Sequence, residues 1–354
     1  MLKTPWIIND RKINIALIGC GRISGNHFSA IEQHQNRLTL TAVCDNNTDR
    51  LKAAVTQYGV DGYNNIDQLL RGSNADLVAI CTPSGLHPTH AIKVARSGRH
   101  VLTEKPMATR WKDGISMIAA CDDAEMRLFV VKQNRMNMTL QLLKKAIDQG
   151  RFGKIYMAHI NVFWNRPQEY YDQGAGWRGT WEYDGGAFMN QASHYVDLLH
   201  WLLGPVESVQ AIMGTLARNI ETEDTGVMSI RWRNGAIGSV NVTMLTYPQN
   251  YEGSITILGE KGTVRIGGVA VNEIQHWEFA DCRPEDEQIK EANYNTTSVY
   301  GFGHPFYYDN VINCLQGTAE PMTDGRDGLA SLEILIAAYY AARDGKTVHL
   351  PMEL

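Results

Sequence analysis

Apolar and polar positions alternate in blocks along the first 135 residues. Short apolar runs stand at 13–18, 38–44, 77–81, 100–103 and 128–132, and amphipathic stretches separate them at 24–35, 48–58, 88–97 and 110–123. Short apolar runs bounded by turn residues fit buried strands, and the longer periodic stretches fit helices packed along one face. Such strand–helix alternation predicts a parallel, doubly wound sheet with ligands at the carboxyl ends of its strands. The residues best suited to chemistry fall at those ends: Gly19, Asp45, Thr82, Glu104-Lys105 and Gln133-Asn134.

After a predicted helix at 137–149 the pattern changes. Segments 154–163, 206–216, 225–232, 236–243, 254–258 and 262–266 alternate with period two, and turns such as Arg233-Asn234-Gly235 join them. Successive strands with short connections predict a mainly antiparallel or mixed sheet. One helix interrupts them at 193–203, ended by Gly204-Pro205. A C-terminal helix at about 326–343 carries Leu329, Leu332, Ile336 and Tyr340 at helical spacing. The stretch 281–295 is the most polar and acidic, and reads as a surface loop. A wide sheet with one face uncovered needs a partner, so a homo-oligomer is expected.

Composition narrows the class. A chain of 354 residues exceeds the size at which single cores stop growing, so two domains are expected. A net charge of −5 without a Lys/Arg-rich run argues against nucleic acid, and no apolar run is long enough to cross a membrane. The segment Met1 to Lys12 carries charges and no apolar core, so no signal peptide is expected. Six scattered cysteines without a Cys-x-x-Cys pair fit core thiols of a reducing cytoplasm, and no metal site is expected.

The segment Ile13 to Phe28 places Gly19-Cys20-Gly21 between a strand and a helix. Gly19 permits the tight turn, Gly21 lets backbone approach a pyrophosphate, and the helix start at Arg22-Ile23 offers N–H groups to the anion. Ser24 stands where a third small residue packs helix on strand. Asp45, 24 residues after Gly21, ends the second run and is placed to bind an adenosine ribose. The acid favours NAD over NADP.

Three further groups carry candidate chemistry. Thr82-Pro83-Ser84-Gly85-Leu86-His87-Pro88 either lines the nicotinamide ribose or serves only as a helix entry. Glu104-Lys105-Pro106 ends a strand at the ligand edge. A lysine is ordinarily a solvated surface residue, but beside an apolar nicotinamide its pKa would fall towards that of a general base. In Gly185-Gly186 to Asp197, the residues Asn190, His194 and Asp197 share one face if the segment is helical throughout. His194 is a candidate acid/base there.

Together the Gly-x-Gly turn, Thr82-Pro83 with His87, Glu104-Lys105-Pro106 and Gly185-Gly186 to His194-x-x-Asp197 closely resemble the Gfo/Idh/MocA oxidoreductase family. The resemblance runs nearly end to end. It implies an α/β protein with an N-terminal Rossmann domain and a C-terminal α/β domain bearing a large open, mainly antiparallel sheet. The expected limits are 1–135 for the NAD-binding domain, 136–325 for the substrate and oligomerisation domain, and 326–354 for a helix and tail packing back on the body. It also implies that Lys105 and His194 flank the sugar carbon being oxidised. Many members carry an aspartate four residues before the histidine. Here that position is Asn190, which orients a hydroxyl but accepts no proton, so the base is Lys105 or His194.

Segments 131–135, Asn165 to Tyr171, Gly176 to Trp181 and Tyr300-Gly301-Phe302-Gly303-His304-Pro305 resemble one bacterial branch of the family. That branch implies NAD-dependent oxidation of the C3 hydroxyl of UDP-2-acetamido-2-deoxy-D-glucuronate, a UDP-linked acidic amino sugar, in lipopolysaccharide biosynthesis, and an octamer. The cofactor residues expected are Gly19, Gly21, Arg22, Ile23, Asp45, Asn46, Thr82, Pro83, Ser84, His87, Glu104, Lys105, Gln133, Trp177 and Arg178. Those expected on the sugar nucleotide are Lys105, Asn134, Arg166, Tyr171, Arg178, Asn190, His194 and His304. Arginine forks suit a carboxylate or pyrophosphate, and Trp164, Trp177, Trp181, Tyr170 and Tyr171 suit stacking, although aromatic loops also simply pack. NAD-using glycoside cleavage and a non-catalytic NAD sensor remain alternatives at this point.

Overall fold

Six short strands pair side by side in the computed structural model, which describes residues 7–173, 176–296 and 303–353. They are β1 (Ile13–Ile18), β2 (Leu38–Cys44), β3 (Asp61–Tyr63), β4 (Leu77–Ile80), β5 (His100–Thr103) and β6 (Leu128–Val130), in the order β3-β2-β1-β4-β5-β6. All pairs are parallel. Strands β4 and β6 are apolar and buried on both faces, as in parallel sheets covered by helices, and Ile13, Ile15, Leu17 and Leu77 are fully buried. Each such side chain is worth about 1.5–3 kcal/mol of burial.

Register decides where the chemistry lies. Ile18 pairs with Cys44 and with Ile80, Ile80 with Thr103, and Thr103 with Val130. The residues that follow these partners (Gly19, Asp45, Cys81, Glu104 and Val131) therefore emerge along one edge. The strand order reverses between β1 and β4, the position at which open parallel sheets bind ligands. The element pair β3 and Ile66–Gly72 had no sequence signal, since Asp61-Gly62-Tyr63 contains no apolar run.

Contacts divide the chain into Met1–Lys132 with His304–Leu329, and Gln133–Gly303 with Ala330–Leu354. The segment 304–325, expected in the second domain, belongs instead to the first unit. There the Tyr307 hydroxyl donates to Val130 O at 2.7 Å, His34 Nε2 lies 2.8 Å from Pro305 O, and Arg37 pairs with Asp309. Such a return of the chain leaves no mark in local periodicity.

In the second unit eight strands form one sheet: β7 (Ile155–Phe163), β8 (Val206–Gly214), β9 (Thr225–Trp232), β10 (Ile237–Thr243), β11 (Glu252–Gly259), β12 (Gly262–Gly267), β13 (Glu273–Phe279) and β14 (Val348–His349). The order is β13-β12-β11-β7-β10-β9-β8-β14, antiparallel except for β7 beside β10. The C-terminal tail, expected only to pack back, thus supplies an edge strand. Burial alternates along β9, with Met228, Ile230 and Trp232 inside and Val227 outside. Val227 pairs with Ile212, and the two side chains are 48% and 76% exposed.

The acidic stretch 281–295 is more than a surface loop. It contains helical turns at Pro284–Gln288 and Ile289–Ala292. Its carboxylates hold the buried Arg151 guanidinium, with Asp286 at 2.7 and 2.8 Å and Asp281 at 3.1 Å. That guanidinium keeps the Asp286 carboxyl well below the usual range. Among the described residues no helix is long and apolar enough to cross a membrane.

Candidate active site

Gly19 adopts φ +93°, and a Cβ there would lie 2.8 Å from the carbonyl carbon and oxygen of Cys81. Only glycine fits, because the turns after β1 and β4 meet at this point. Gly21 differs: among the described residues no atom beyond its chain neighbours lies within 4 Å of where its Cβ would stand, so packing does not demand glycine there. The open side of that turn faces the start of helix Ser24–Gln33, which has no side-chain cap and no acid in its first turn. Its N-terminal partial charge is left for an anion. Ser24 is buried and donates its hydroxyl to Gly21 O at 2.6 Å.

Asp45 braces this turn from the neighbouring strand. Its Oδ2 accepts the Cys20 N–H at 2.8 Å, and its Oδ1 the Asn47 N–H at 2.7 Å. Arg22 and Asn46 are exposed at the rim, and Ile23 is half-buried. Buried Cys44 and part-buried Cys20 are inert, burial pushing both thiols up to about 12. The uncapped helix, the open Gly21 and the acid at the tip of β2 fit a dinucleotide. Gly21→Ala is expected to leave the melting temperature within about 2 °C while weakening NAD binding at least about tenfold by calorimetry. Unchanged affinity would place the pyrophosphate elsewhere.

Lys105 is half-buried on a turn held from behind. Glu104 Oε2 accepts the Lys105 N–H at 3.1 Å, while Oε1 faces His27 Nε2 at 3.0 Å and His304 Nε2 at 3.3 Å. Tyr308 Oη lies 2.7 Å from His27 Nδ1. Burial lowers the pKa of His27, and the hydrogen bond and charge of Glu104 oppose that shift. Burial alone would raise the Glu104 pKa, but the bonds and charges of His27 and His304 outweigh it and hold the carboxyl well below its usual range. His87 bridges Pro106 O and Thr82 O, each at 2.8 Å.

Three of the expected ligand residues have side-chain partners within the protein. Glu104 and His87, expected on the cofactor, direct their side chains into the protein and fix the backbone around Lys105. His304, expected on the sugar, is buried on Glu104 for the same purpose. Thr82 and Pro83 are half-buried at the edge, with Thr82 Oγ1 3.2 Å from His90 Nδ1, and Ser84 is buried at the start of the turn Ser84–Leu86.

In the second unit the single helical face expected for Asn190, His194 and Asp197 is broken. Ala187–Gln191 forms a π-helical turn, and the α-helix begins at Ser193. Asn190 thus precedes the helix, and its amide donates to Asp184, whose other oxygen accepts the Gly179 N–H at 2.8 Å. Asp197 forms two bonds with Arg135, at 2.8 and 2.7 Å. His194 is buried with Nε2 3.4 Å from Gln133 Nε2.

Gln133 Oε1, Asn134 Oδ1 and Arg178 Nε are buried without a hydrogen-bond partner among the described residues. Buried polar atoms are nearly always partnered, so these three are open to a polar ligand or water. The Arg178 guanidinium lies 4.1 Å from the Tyr170 ring, and Arg166 lies 5.4 Å from the same ring and 5.2 Å from Trp164. Two guanidinia around one aromatic ring form a cationic shelf. Trp177 is half-buried, 5.2 Å from Arg178. Tyr171, expected on the sugar, is buried and packs behind Gly179. Tyr300-Gly301-Phe302, part of one motif of the resemblance, lies outside the described residues. Sequence reasoning missed His27, Asp184 and Arg135 as supporting residues, and none carries a local signal for that role.

A glycine turn at the switch point of a parallel sheet, an acid at the next strand tip and a lysine on a braced turn define a nicotinamide-nucleotide oxidoreductase. Comparison with known proteins gives the particular family. Residues 13–132 match the oxidoreductase-family NAD-binding Rossmann fold, and residues 144–350 match the oxidoreductase-family C-terminal α/β domain. The chain belongs to the Gfo/Idh/MocA oxidoreductase family. It is 65% identical to the WlbA dehydrogenase of Bordetella pertussis, solved with NADH and UDP-GlcNAcA, with a TM-score of 0.96 over 98% of this chain and 100% of that one. It is 62% identical to the WlbA dehydrogenase of Chromobacterium violaceum, solved with the same two molecules, with a TM-score of 0.95 over the whole of both chains. It is also 25% identical over 345 residues to the D-apiose dehydrogenase of Paraburkholderia graminis, covering 95% of this chain and 89% of that protein.

Proposed function

We propose that this protein oxidises the C3 hydroxyl of UDP-2-acetamido-2-deoxy-D-glucuronate (UDP-GlcNAcA) to the 3-keto sugar with NAD, in the cytoplasm, on a route to a lipopolysaccharide sugar. The observation that carries this reading is the 65% identity, over nearly the full length, to a dehydrogenase solved with NADH and UDP-GlcNAcA. When bound, NAD supplies the hydride acceptor. Lys105 Nζ takes the C3 hydroxyl proton, and His194 assists. Asn190 orients the hydroxyl through an amide that Asp184 fixes. Arg166 and Arg178 receive the carboxylate or pyrophosphate, to whose oxygens a planar guanidinium donates two parallel hydrogen bonds. Asp45 favours the ribose hydroxyls of NAD and repels a 2′-phosphate.

Purified protein mixed with NAD and UDP-GlcNAcA alone is expected to give a steady rise of NADH absorbance and a 3-keto product. A burst limited to the enzyme concentration would mean that NADH stays trapped and that another oxidant is needed. No signal with NAD binding intact would remove the substrate assignment. We further propose a homo-oligomer, an octamer by resemblance, that covers the exposed Ile212 and Val227. Sedimentation as a monomer at micromolar concentration would contradict it.

A further inference from the structure

Three consecutive polar residues, Thr222, Glu223 and Asp224, are buried immediately before β9, and the reaction above uses none of them. Each holds a different loop of the second unit. The Thr222 hydroxyl lies 3.1 Å from Gly179 O and 3.3 Å from Gly185 O. Asp224 accepts the N–H groups of Leu216, Ala217 and Arg218 at 2.9–3.0 Å. Glu223 Oε1 accepts the Phe188 N–H and the Tyr339 O–H, each at 2.9 Å, and its carbonyl accepts the Ala187 N–H at 3.0 Å. The Tyr339 oxygen in turn accepts the N–H groups of Gly186 at 3.3 Å and Met189 at 3.2 Å. The leading N–H groups of a helical turn have no partner within the turn. Here Glu223 and Tyr339 supply one for the turn Ala187–Gln191 that carries Asn190.

The other oxygen of Glu223 has a different environment. Oε2 is buried without a hydrogen-bond partner among the described residues, and a Cβ on Gly186 would stand 1.9 Å from it. The carboxyl end thus occupies the space that a glycine leaves. An ionised oxygen with no donor in such a place is costly, and the neutral acid is favoured. The titratable groups that act on it are Tyr339, through the hydrogen bond, and Asp184, whose charge opposes a second negative charge.

We infer that Glu223 is a positioning residue that, as the neutral acid clamped to Tyr339, sets the turn presenting Asn190, and that its ionisation loosens this turn. The inference rests on the reading of Asn190 as the residue that orients the sugar hydroxyl. Burial, reinforced by Asp184 and partly offset by the hydrogen bonds, pushes the Glu223 carboxyl up to about 7. In the unfolded chain it titrates near 4.5. The folded state therefore holds the proton more tightly, and its contribution to stability is complete below about 4.5 and declines as pH rises through about 7.

Hydrogen exchange of the 186–190 amides, corrected for intrinsic rates, tests this without a substrate. In the wild type, protection is expected to fall about tenfold from pH 6 to 8.5, following the ionised fraction of the acid. Glu223→Gln, which cannot ionise, is expected to keep one level of protection across that range. Tyr339→Phe removes one donor to Oε1 and is expected to loosen the same amides at pH 6, which provides a second variant if the first folds poorly. With UDP-GlcNAcA and NAD, kcat of the wild type relative to that of Glu223→Gln should fall over the same interval while the KM for NAD holds. An equal pH-dependent loss of protection in Glu223→Gln, or no loss in the wild type, overturns the inference. Exchange behaving as expected without turnover of the sugar nucleotide would instead sink the substrate reading and leave the role of Glu223 in place.

Discussion

Lys105→Met is expected to lower the turnover number by about a thousandfold while leaving NAD affinity within about twofold, since proton transfer by a positioned group is commonly worth 10²–10⁴ in rate. The substitution removes only the ammonium. Methionine keeps an unbranched apolar stem, and the turn beneath it is held through the backbone: Glu104 grips the Lys105 N–H and His87 grips the Pro106 carbonyl. The glycine turn and Asp45 lie after other strands and are untouched. Steady-state turnover of UDP-GlcNAcA together with calorimetric NAD titration separates the two effects. A variant that retained most of its turnover number would transfer the role of base to His194 or to another group.

Asp197→Ala should destabilise the fold by about 3–5 kcal/mol, the cost of leaving one member of a buried ion pair without the other. Asp197 and Arg135 have side chains 2% and 3% exposed and share two bonds. Arg135 also lies 5.6 Å from the Trp201 ring. Denaturant unfolding measures the loss. A double variant in which both residues become apolar, Arg135→Met with Asp197→Leu, is expected to recover most of it, because replacing a whole buried pair is far less costly than breaking one. If Asp197→Ala were as stable as the wild type but inactive, Asp197 would act on the chemistry of His194 rather than on the fold.

The two units differ in how much of their site could be read in one dimension. In the first, the places of the glycine turn, Asp45, Thr82 and Lys105 after strand ends were all legible, because each follows the apolar run of its own parallel strand. Local pattern and site position therefore coincide. What could not be read there is the set of residues behind Lys105. His27 and His304 reach Glu104 across 77 and 200 positions of sequence. In the second unit the helical spacing of Asn190, His194 and Asp197 was misleading. A π turn changes the rotation per residue, and it is held by Glu223 and Tyr339 from 35 and 150 or more positions away.

The sequence by itself determined the parallel sheet, the glycine turn with its acid, the lysine at a strand end and the family these define. All of these follow from short-range periodicity and from the few residue types a tight turn or an anion tolerates. Only the tertiary structure decided that His87, Glu104 and His304 brace the turn at Lys105, that Asp197 pairs with Arg135, and that segment 304–325 joins the first unit. Those outcomes depend on which distant groups share a buried space, where an unpaired charge or polar atom is costly, and no local pattern encodes that choice.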